Sequence, residues 1–109
     1  MDGISFYEQV YQLVALIPRG RVTTYGAIAK ALGAAKSSRM VGTALINAHH
    51  PEQILPIYRV VNRNGLLTGK HHYESSSHMQ QLLESEGVSI LNDQVKDFKA
   101  LFWDPMQEL

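Results

Sequence analysis

A helix-turn-helix is predicted by residues 23–48, whose sequence is TTYGAIAKALGAAKSSRMVGTALINA. Thr23 or Thr24 is a suitable N-cap for a helix that runs from Tyr25 to about Leu32. The glycine that follows supplies the left-handed residue with which many helices end. Two short helices joined by a turn that contains glycine form this motif.

The next helix is predicted from Arg39 to about Ala48, with Ser37 or Ser38 as its N-cap. Three apolar residues are expected to face inward: Val41, Ala44 and Leu45. The outward face at the N-terminal end of this helix carries small residues, among them Gly42. Helices that read bases in the major groove usually display longer polar side chains. The small face therefore favours a close approach in the narrower minor groove, where shape matters more than base edges.

Further helices are predicted on both sides of this motif. In the capping-box pattern Ser5-Phe6-Tyr7-Glu8, Ser5 is the N-cap of a helix that stops before Pro18. Its apolar residues recur at helical spacing: Phe6, Val10, Leu13, Val14 and Ile17. Another helix is predicted over residues 75–86, with Gly87 at its end. Its buried positions are expected to be Met79, Leu82 and Leu83.

The segment between these helices predicts strands. Residues 54–61 are apolar and β-branched, Asn64-Gly65 is a strong two-residue hairpin turn, and residues 66–68 would form the return strand. The tail from Asn92 is expected to be a helix or an extended packing segment. We therefore expect an α+β, mostly helical fold: a winged helix-turn-helix with a small β-hairpin, formed as a single domain by residues 1–109.

Composition excludes several kinds of chemistry. The 109 residues include no cysteine, so there is no disulfide, no cysteine–zinc site and no thiolate nucleophile. No apolar run reaches the length of a membrane span, and the N-terminus lacks a signal-peptide pattern. We expect a soluble cytoplasmic protein that acts as a monomer, needs no cofactor or metal and does not contact a membrane.

Charge is segregated along the chain, although the net charge is zero. Residues 18–72 carry eight basic side chains and one acidic one, a net charge of +7. Residues 73–109 carry two basic and seven acidic side chains, a net charge of −5. A basic middle with an acidic tail indicates one face for a polyanion and another that points away from it. Chance segregation in a small chain is the alternative.

Five motifs in one order resemble the O6-alkylguanine-DNA alkyltransferase family. Pro56-Ile57-Tyr58-Arg59-Val60 stands in the frame of that family's Pro-Cys-His-Arg-Val motif, with Ile57 at the cysteine and Tyr58 at the histidine. The other four are Ile17-Pro18-x-Gly20 with Thr24-Tyr25-Gly26, the run from Arg39 to Leu45, Asn64-Gly65-x-Leu67-Thr68-Gly69, and Leu82-Leu83-x-x-Glu86-Gly87. Without the cysteine, the chain resembles the non-transferring, alkyltransferase-like branch of the family.

The resemblance implies a fold like the alkyltransferase C-terminal domain and a sensor of O6-alkylguanine in double-stranded DNA. Tyr25 would help rotate the target nucleotide, and Arg39 would enter the base stack. The residues implied at the DNA are Thr24, Tyr25, Lys36, Ser37, Ser38, Arg39 and Gly42. Those implied in the lesion pocket are Tyr25, Ile57, Tyr58, Val60 and Lys70. Arg59 and Glu86 are expected to support the pocket loop.

Alkyl transfer is not expected, because it needs a strong nucleophile activated by a base. Ile57 has no lone pair to offer, and Tyr58 is no base near pH 7. Glu86, at the position of the family's carboxylate, would accept a hydrogen bond from a hydroxyl or a backbone amide. The resemblance implies that the bound lesion is handed to nucleotide excision repair through its UvrA-type damage-recognition protein. The acidic face after residue 73 is either its docking surface or a solvated face.

The residues alone leave alternatives open. Arg39 could pair with a phosphate or with Glu52, Tyr25 could be a half-buried aromatic with its hydroxyl in water, and Lys70 could face a base or a phosphate. The alternative function is a winged-helix transcription regulator that reads sequence in the major groove, which the few long polar side chains on the third helix disfavour. A metal enzyme built on the five histidines is disfavoured because adjacent histidines diverge.

Overall fold

Short helices and two-residue strands build the fold, seen in a computed structural model that describes residues 5–52 and 54–109. The helices are α1 (Phe6–Val14), α2 (Tyr25–Ala31), α3 (Ser38–Ile46), α4 (His78–Ser85), α5 (Phe98–Leu101) and α6 (Pro105–Glu108). The strands are β1 (Thr23–Thr24), β2 (Val60–Val61), β3 (Ile90–Leu91) and β4 (Gln94–Val95). Two 3-10 turns span Ile57–Arg59 and Thr68–His72. None of the helices in this described part is long and apolar enough to cross a membrane.

The first three helices form where the sequence predicts them. The Ser5 hydroxyl accepts a hydrogen bond from the Glu8 N–H at 3.1 Å and caps α1. Thr24, rather than Thr23, caps α2 through a 3.0 Å bond from the Ala27 N–H. The helix α3 begins one residue earlier than predicted and ends at Ile46, short of Ala48. The α+β helix-turn-helix fold class is therefore confirmed.

The predicted hairpin at Asn64-Gly65 is wrong. β2 pairs in parallel with β1, so that Val60 lies beside Thr23. The Asn62 side chain instead satisfies the turn, because its Oδ1 accepts hydrogen bonds from the Asn64 and Leu66 N–H groups at 2.9 and 2.8 Å. The chain then enters the 3-10 turn over Thr68–His72 rather than a return strand.

The small hairpin forms further along, between β3 and β4, which pair in antiparallel fashion. Its two-residue loop is Asn92-Asp93, with φ of 52° and 62°. Two successive positive φ values mark the turn type that matches the twist of a hairpin, and Asn and Asp tolerate this conformation. The tail was expected to be helix or extended, and it contains both.

Two clusters of buried side chains form the interior. One joins α1, α2 and α3, and it includes Trp103 from the C-terminal segment. The other lies between β2, α4 and the hairpin, and it includes Leu67, Met79 and Leu83. The helix α4 begins at His78, three residues later than predicted, and its Leu82 is only half-buried. The two parts of the interior meet along β1 and β2, and the candidate site opens at this junction.

Candidate functional site

A cavity of about 180 Å³ lies between α3 and the two 3-10 turns. Its apolar lining comes from Leu45, Ile46, Ile57, Val60 and Met79. Its polar lining comes from Tyr25, Thr68, His72 and Tyr73, and Gly42 and Gly69 complete the wall. Among the described residues, this wall includes no carboxylate, lysine or arginine. Such a cavity suits a neutral group with a few hydrogen-bonding atoms better than it suits a phosphate.

Tyr25 stands at the edge of this cavity, in the first turn of α2. A side chain added at Gly42 would lie 3.9 Å from the Tyr25 ring, and one at Gly69 would lie 3.3 Å from its hydroxyl. The ring is therefore held between α3 and the turn at Thr68–His72. Because both neighbours are glycines, the aromatic side chain can lie close to two backbones.

Two surface grooves share the Tyr25 ring with the cavity. One also contains Ser38, Arg39 and Gly42, and the other also contains Ser38 and Arg63. A basic side chain thus lies in each groove beside the aromatic ring. Sequence reasoning did not single out Arg63, because it follows a strand and stands outside every recognisable motif.

The face of α3 places most of the predicted DNA contacts at the surface. Lys36, Ser38 and Arg39 are exposed, whereas Ser37 and Gly42 are half-buried. Within residues 5–52 and 54–109, the Arg39 guanidinium makes no ion pair or hydrogen bond. Glu52, considered as its partner, instead lies 3.0 Å from the imidazole of His78. The Arg39 charge is therefore available to an anion.

Thr24, which was predicted both as a possible N-cap and as a DNA contact, is buried and serves as the N-cap. It is 8% exposed, and its hydroxyl accepts the capping bond from the Ala27 N–H. The reason is positional, since an N-cap directs its side chain to the backbone of its own helix.

Tyr58 does not line the cavity, although it was predicted there. Its side chain belongs to the second buried cluster, and its hydroxyl donates to the Glu86 carboxylate at 2.6 Å. Burial, followed by the hydrogen bond to Glu86, raises the Tyr58 pKa above its ordinary value. Tyr58 is therefore a protonated donor behind the pocket rather than a group within it.

Glu86 is the centre of a buried polar network. Its carboxylate accepts hydrogen bonds from Tyr58, from the Arg59 guanidinium and from the Gly20 N–H at 2.9 Å. Arg59 also donates to the Ile17 carbonyl at 2.7 Å. Burial raises the Glu86 pKa, but the bonds from Arg59, Gly20 and Tyr58 outweigh burial and hold the pKa below its ordinary value. The network ties the segment before β1 to the turn that carries Ile57.

Lys70 also lies outside the cavity wall, contrary to its predicted place in the pocket. Its ammonium group forms an ion pair with Asp93 in the hairpin loop. The acidic loop neutralises this lysine because β3–β4 folds back beside the turn at Thr68–His72. The three predicted pocket residues that the structure brings together are Tyr25, Ile57 and Val60.

Several cavity residues were missed by sequence reasoning. Met79 was predicted to be buried, and the helical pattern that predicts it cannot tell a cavity wall from a core. His72 ends the 3-10 turn at Thr68–His72 and Tyr73 follows it, in a part of the chain where no periodic pattern exists to place them. In the part of the chain that the structure describes, no three His, Asp or Glu side chains are grouped to hold a metal ion.

Comparisons with known proteins found matches that cover most of the chain. Residues 5–88 match the family described as 6-O-methylguanine DNA methyltransferase, DNA binding domain. Alkyltransferase-like protein 1 of Schizosaccharomyces pombe is 36% identical over 105 residues, which cover 93% of this chain and 96% of the relative. The DNA base-flipping protein of Escherichia coli is 40% identical over 103 residues, or 92% of this chain and 75% of the relative.

A solved structure matches over nearly the whole chain. It is S. pombe Atl1 in complex with damaged DNA containing O6-carboxymethylguanine, with a TM-score of 0.79 and 34% sequence identity. The match covers 94% of this chain and 98% of the solved chain.

Proposed function

The chain belongs to the 6-O-methylguanine DNA methyltransferase DNA-binding-domain family, and we propose that it is a non-enzymatic sensor of O6-alkylguanine in duplex DNA. The observation that carries this proposal is the apolar cavity beside Tyr25, with Ile57 in the place of the family's reactive cysteine. The chain contains no cysteine at all. The relative solved with O6-carboxymethylguanine DNA supports the same substrate class.

Binding begins with α3 in the minor groove of the duplex. The half-buried Gly42 and the exposed Ser38 let the helix approach the DNA closely, and the exposed cation Lys36 meets a phosphate. Arg39, which has no acidic partner in the described chain, enters the base stack. Tyr25 crowds the phosphate of the target nucleotide and helps rotate it out of the helix.

The rotated base enters the cavity. Extrusion costs roughly a few kcal/mol and is cheapest for a poorly paired base. O6-alkylation weakens pairing with cytosine, so the damaged guanine is selected at this step. Ile57 gives apolar contact to the alkyl group, and the chain, which has no cysteine, offers no thiolate to remove it. The lesion is therefore bound without being repaired.

A sensor that leaves its lesion intact needs a second system to remove it. We propose that this protein acts in the cytoplasm and delivers the site to nucleotide excision repair through a UvrA-type protein. The support for this step is family resemblance. The net charge of −5 after residue 72 adds little to it, because Glu86, Asp93 and Glu108 are paired with basic side chains.

The first experiment is a fluorescence anisotropy titration of two labelled duplexes that differ only in one O6-methylguanine. It is run at a fixed salt concentration, because phosphate contacts make affinity salt-dependent. We expect tighter binding to the methylated duplex, with the methyl group still on the base afterwards. Equal binding to both duplexes would contradict the proposal and indicate a general winged-helix DNA-binding protein.

Two single variants test the assigned roles in the same titration. Arg39→Ala removes the stack-filling group and is expected to weaken binding to the methylated duplex by roughly 10-fold or more. Lys36→Ala is the matched control, since it removes one lysine charge that contacts a phosphate. It should lower the slope of log affinity against log salt concentration by about one unit. If the two variants lost equal affinity for the methylated duplex, the entry of Arg39 into the base stack would be refuted.

A further inference from the structure

Tyr73 carries a buried hydroxyl that has no hydrogen-bond partner among the described residues. The residue lies in the irregular segment between the Thr68–His72 turn and α4, and it lines the cavity. Almost all buried polar groups in folded proteins are paired, so an exception calls for a physical reason. A group that is paired only when a ligand is present is one such reason.

The ring of Tyr73 is held in place although its hydroxyl is free. It packs against the His78 imidazole with ring centroids 5.3 Å apart, and His78 is itself fixed by Glu52 at 3.0 Å. Burial, followed by the nearby Glu52, Tyr58 and Tyr25, raises the Tyr73 pKa far above its ordinary value. The phenol is therefore protonated at neutral pH and can donate a hydrogen bond.

The position of Tyr73 distinguishes it from Thr23, whose side chain has the other buried hydroxyl without a partner in the described chain. Thr23 lies in β1, is fully buried and does not line the cavity. Both hydroxyls are buried, but Thr23 is buried as a whole residue, whereas Tyr73 is half-buried and forms part of a wall that a ligand would touch.

We propose that the Tyr73 hydroxyl donates a hydrogen bond to an acceptor atom on the edge of the base in the cavity, which makes Tyr73 a specificity-determining residue. This inference rests on the proposed function. An O6-alkylated guanine has lost the proton from N1, so its pairing edge presents acceptors at N1 and O6 where guanine has a donor at N1. A fixed phenol donor among apolar side chains favours the alkylated edge, because an unpaired acceptor there would be buried without compensation.

The test compares Tyr73→Phe with the unchanged protein on the methylated and undamaged duplexes. We expect Tyr73→Phe to bind the methylated duplex roughly 10-fold more weakly, as is typical for one lost hydrogen bond in a dry site. Binding to the undamaged duplex should be unchanged. The melting temperature should be unchanged or higher, because phenylalanine removes an unpaired polar group.

The matched control is Tyr11→Phe. The Tyr11 hydroxyl donates to the Ala44 carbonyl at 2.7 Å and lies outside the cavity wall. We expect this variant to have a lower melting temperature and an unchanged preference for the methylated duplex. The pair therefore separates a hydroxyl that serves the fold from one that serves the ligand.

The outcomes are distinguishable. If the unchanged protein prefers the methylated duplex and Tyr73→Phe retains the same affinity, the inference is overturned while the proposed function stands. If Tyr73→Phe lowers the melting temperature as Tyr11→Phe does, the hydroxyl is paired in the free protein, and the inference is overturned as well. If the unchanged protein binds both duplexes equally, the proposed function fails and the inference fails with it.

Discussion

Two consecutive threonines show how the surroundings of a hydroxyl decide whether it stabilises or destabilises the fold. Thr23 Oγ1 is buried without a partner in the described chain, whereas Thr24 Oγ1 caps α2. We expect Thr23→Val to raise the free energy of unfolding by about 1 kcal/mol, because an unpaired polar group leaves the interior. Thr24→Val should lower it by about 1 kcal/mol through loss of the cap. Urea unfolding of both variants checks this, and shifts in the same direction would contradict it.

Glu86 makes the stability of the fold depend on pH in the acidic range. Its side chain is 0% exposed, and its pKa in the folded protein is lowered from 4.5. Its charged form therefore adds stability at neutral pH, which is lost as pH falls from about 4.5 through the lower folded pKa. Glu86→Gln lacks this titration. We expect the free energy of unfolding of Glu86→Gln to fall below that of the unchanged protein by most at pH 7, and the difference to shrink in more acidic buffer. Urea unfolding from pH 7 to pH 3 measures this difference. A difference that does not change with pH would contradict the role of Glu86.

At the scale of single elements, the stability of helix α3 and its contact with DNA favour different residues at position 42, where the chain has Gly42. A methyl group there would lie 3.9 Å from the Tyr25 ring, an ordinary contact distance. Gly42→Ala should therefore raise the free energy of unfolding by about 0.5–1 kcal/mol, because alanine favours helix. Binding to the methylated duplex should weaken, since the methyl group stands on the face that meets the DNA. Unfolding and titration of one preparation check both parts, and unchanged affinity would contradict the close approach of α3.

The elements also show which parts of the fold could be predicted from sequence. The caps at Ser5 and Thr24 and the spacing of apolar residues are local signals, and the helices they predict form. The pairing of β1 with β2 joins distant segments of the chain, and a run of β-branched residues does not identify its partner. The Asn64-Gly65 pattern predicted a hairpin, but the Asn62 side chain satisfies that turn locally.

The candidate site was predicted only in part, because the sequence shows local motifs but not contacts between distant segments. Tyr25, Ile57 and Val60 stand in motifs with a fixed order, and they line one cavity. Tyr58 and Lys70 lie away from it because their partners, Glu86 and Asp93, come from distant segments. Tyr73 was missed because it lies between regular elements. Motif order therefore selected three residues that line one cavity, and long-range polar pairing decides which neighbours of a motif residue lie beside them.

At the scale of the whole molecule, the C-terminal segment joins the two parts of the interior. Phe98 and Leu101 pack on the second cluster, and Trp103 is 3% exposed within the first. The backbone N–H of Trp103 donates a hydrogen bond to the Val22 carbonyl at 2.7 Å. Arg21 donates to the Leu101 and Phe102 carbonyls at 2.9 and 2.6 Å. A segment bound to both clusters should make them unfold together.

Trp103 is the only tryptophan of the chain, so its fluorescence reports the first cluster, while far-UV circular dichroism reports all helices. We expect the two probes to give coincident urea transitions. Arg21→Ala should shift both midpoints equally to lower urea, with a loss of roughly 1–3 kcal/mol, because it removes charge-assisted hydrogen bonds to the segment. If the fluorescence transition moved alone, the clusters would be separately stable. Coincidence would mean that the cavity at their junction exists only while both are folded, which couples the recognition site to global stability.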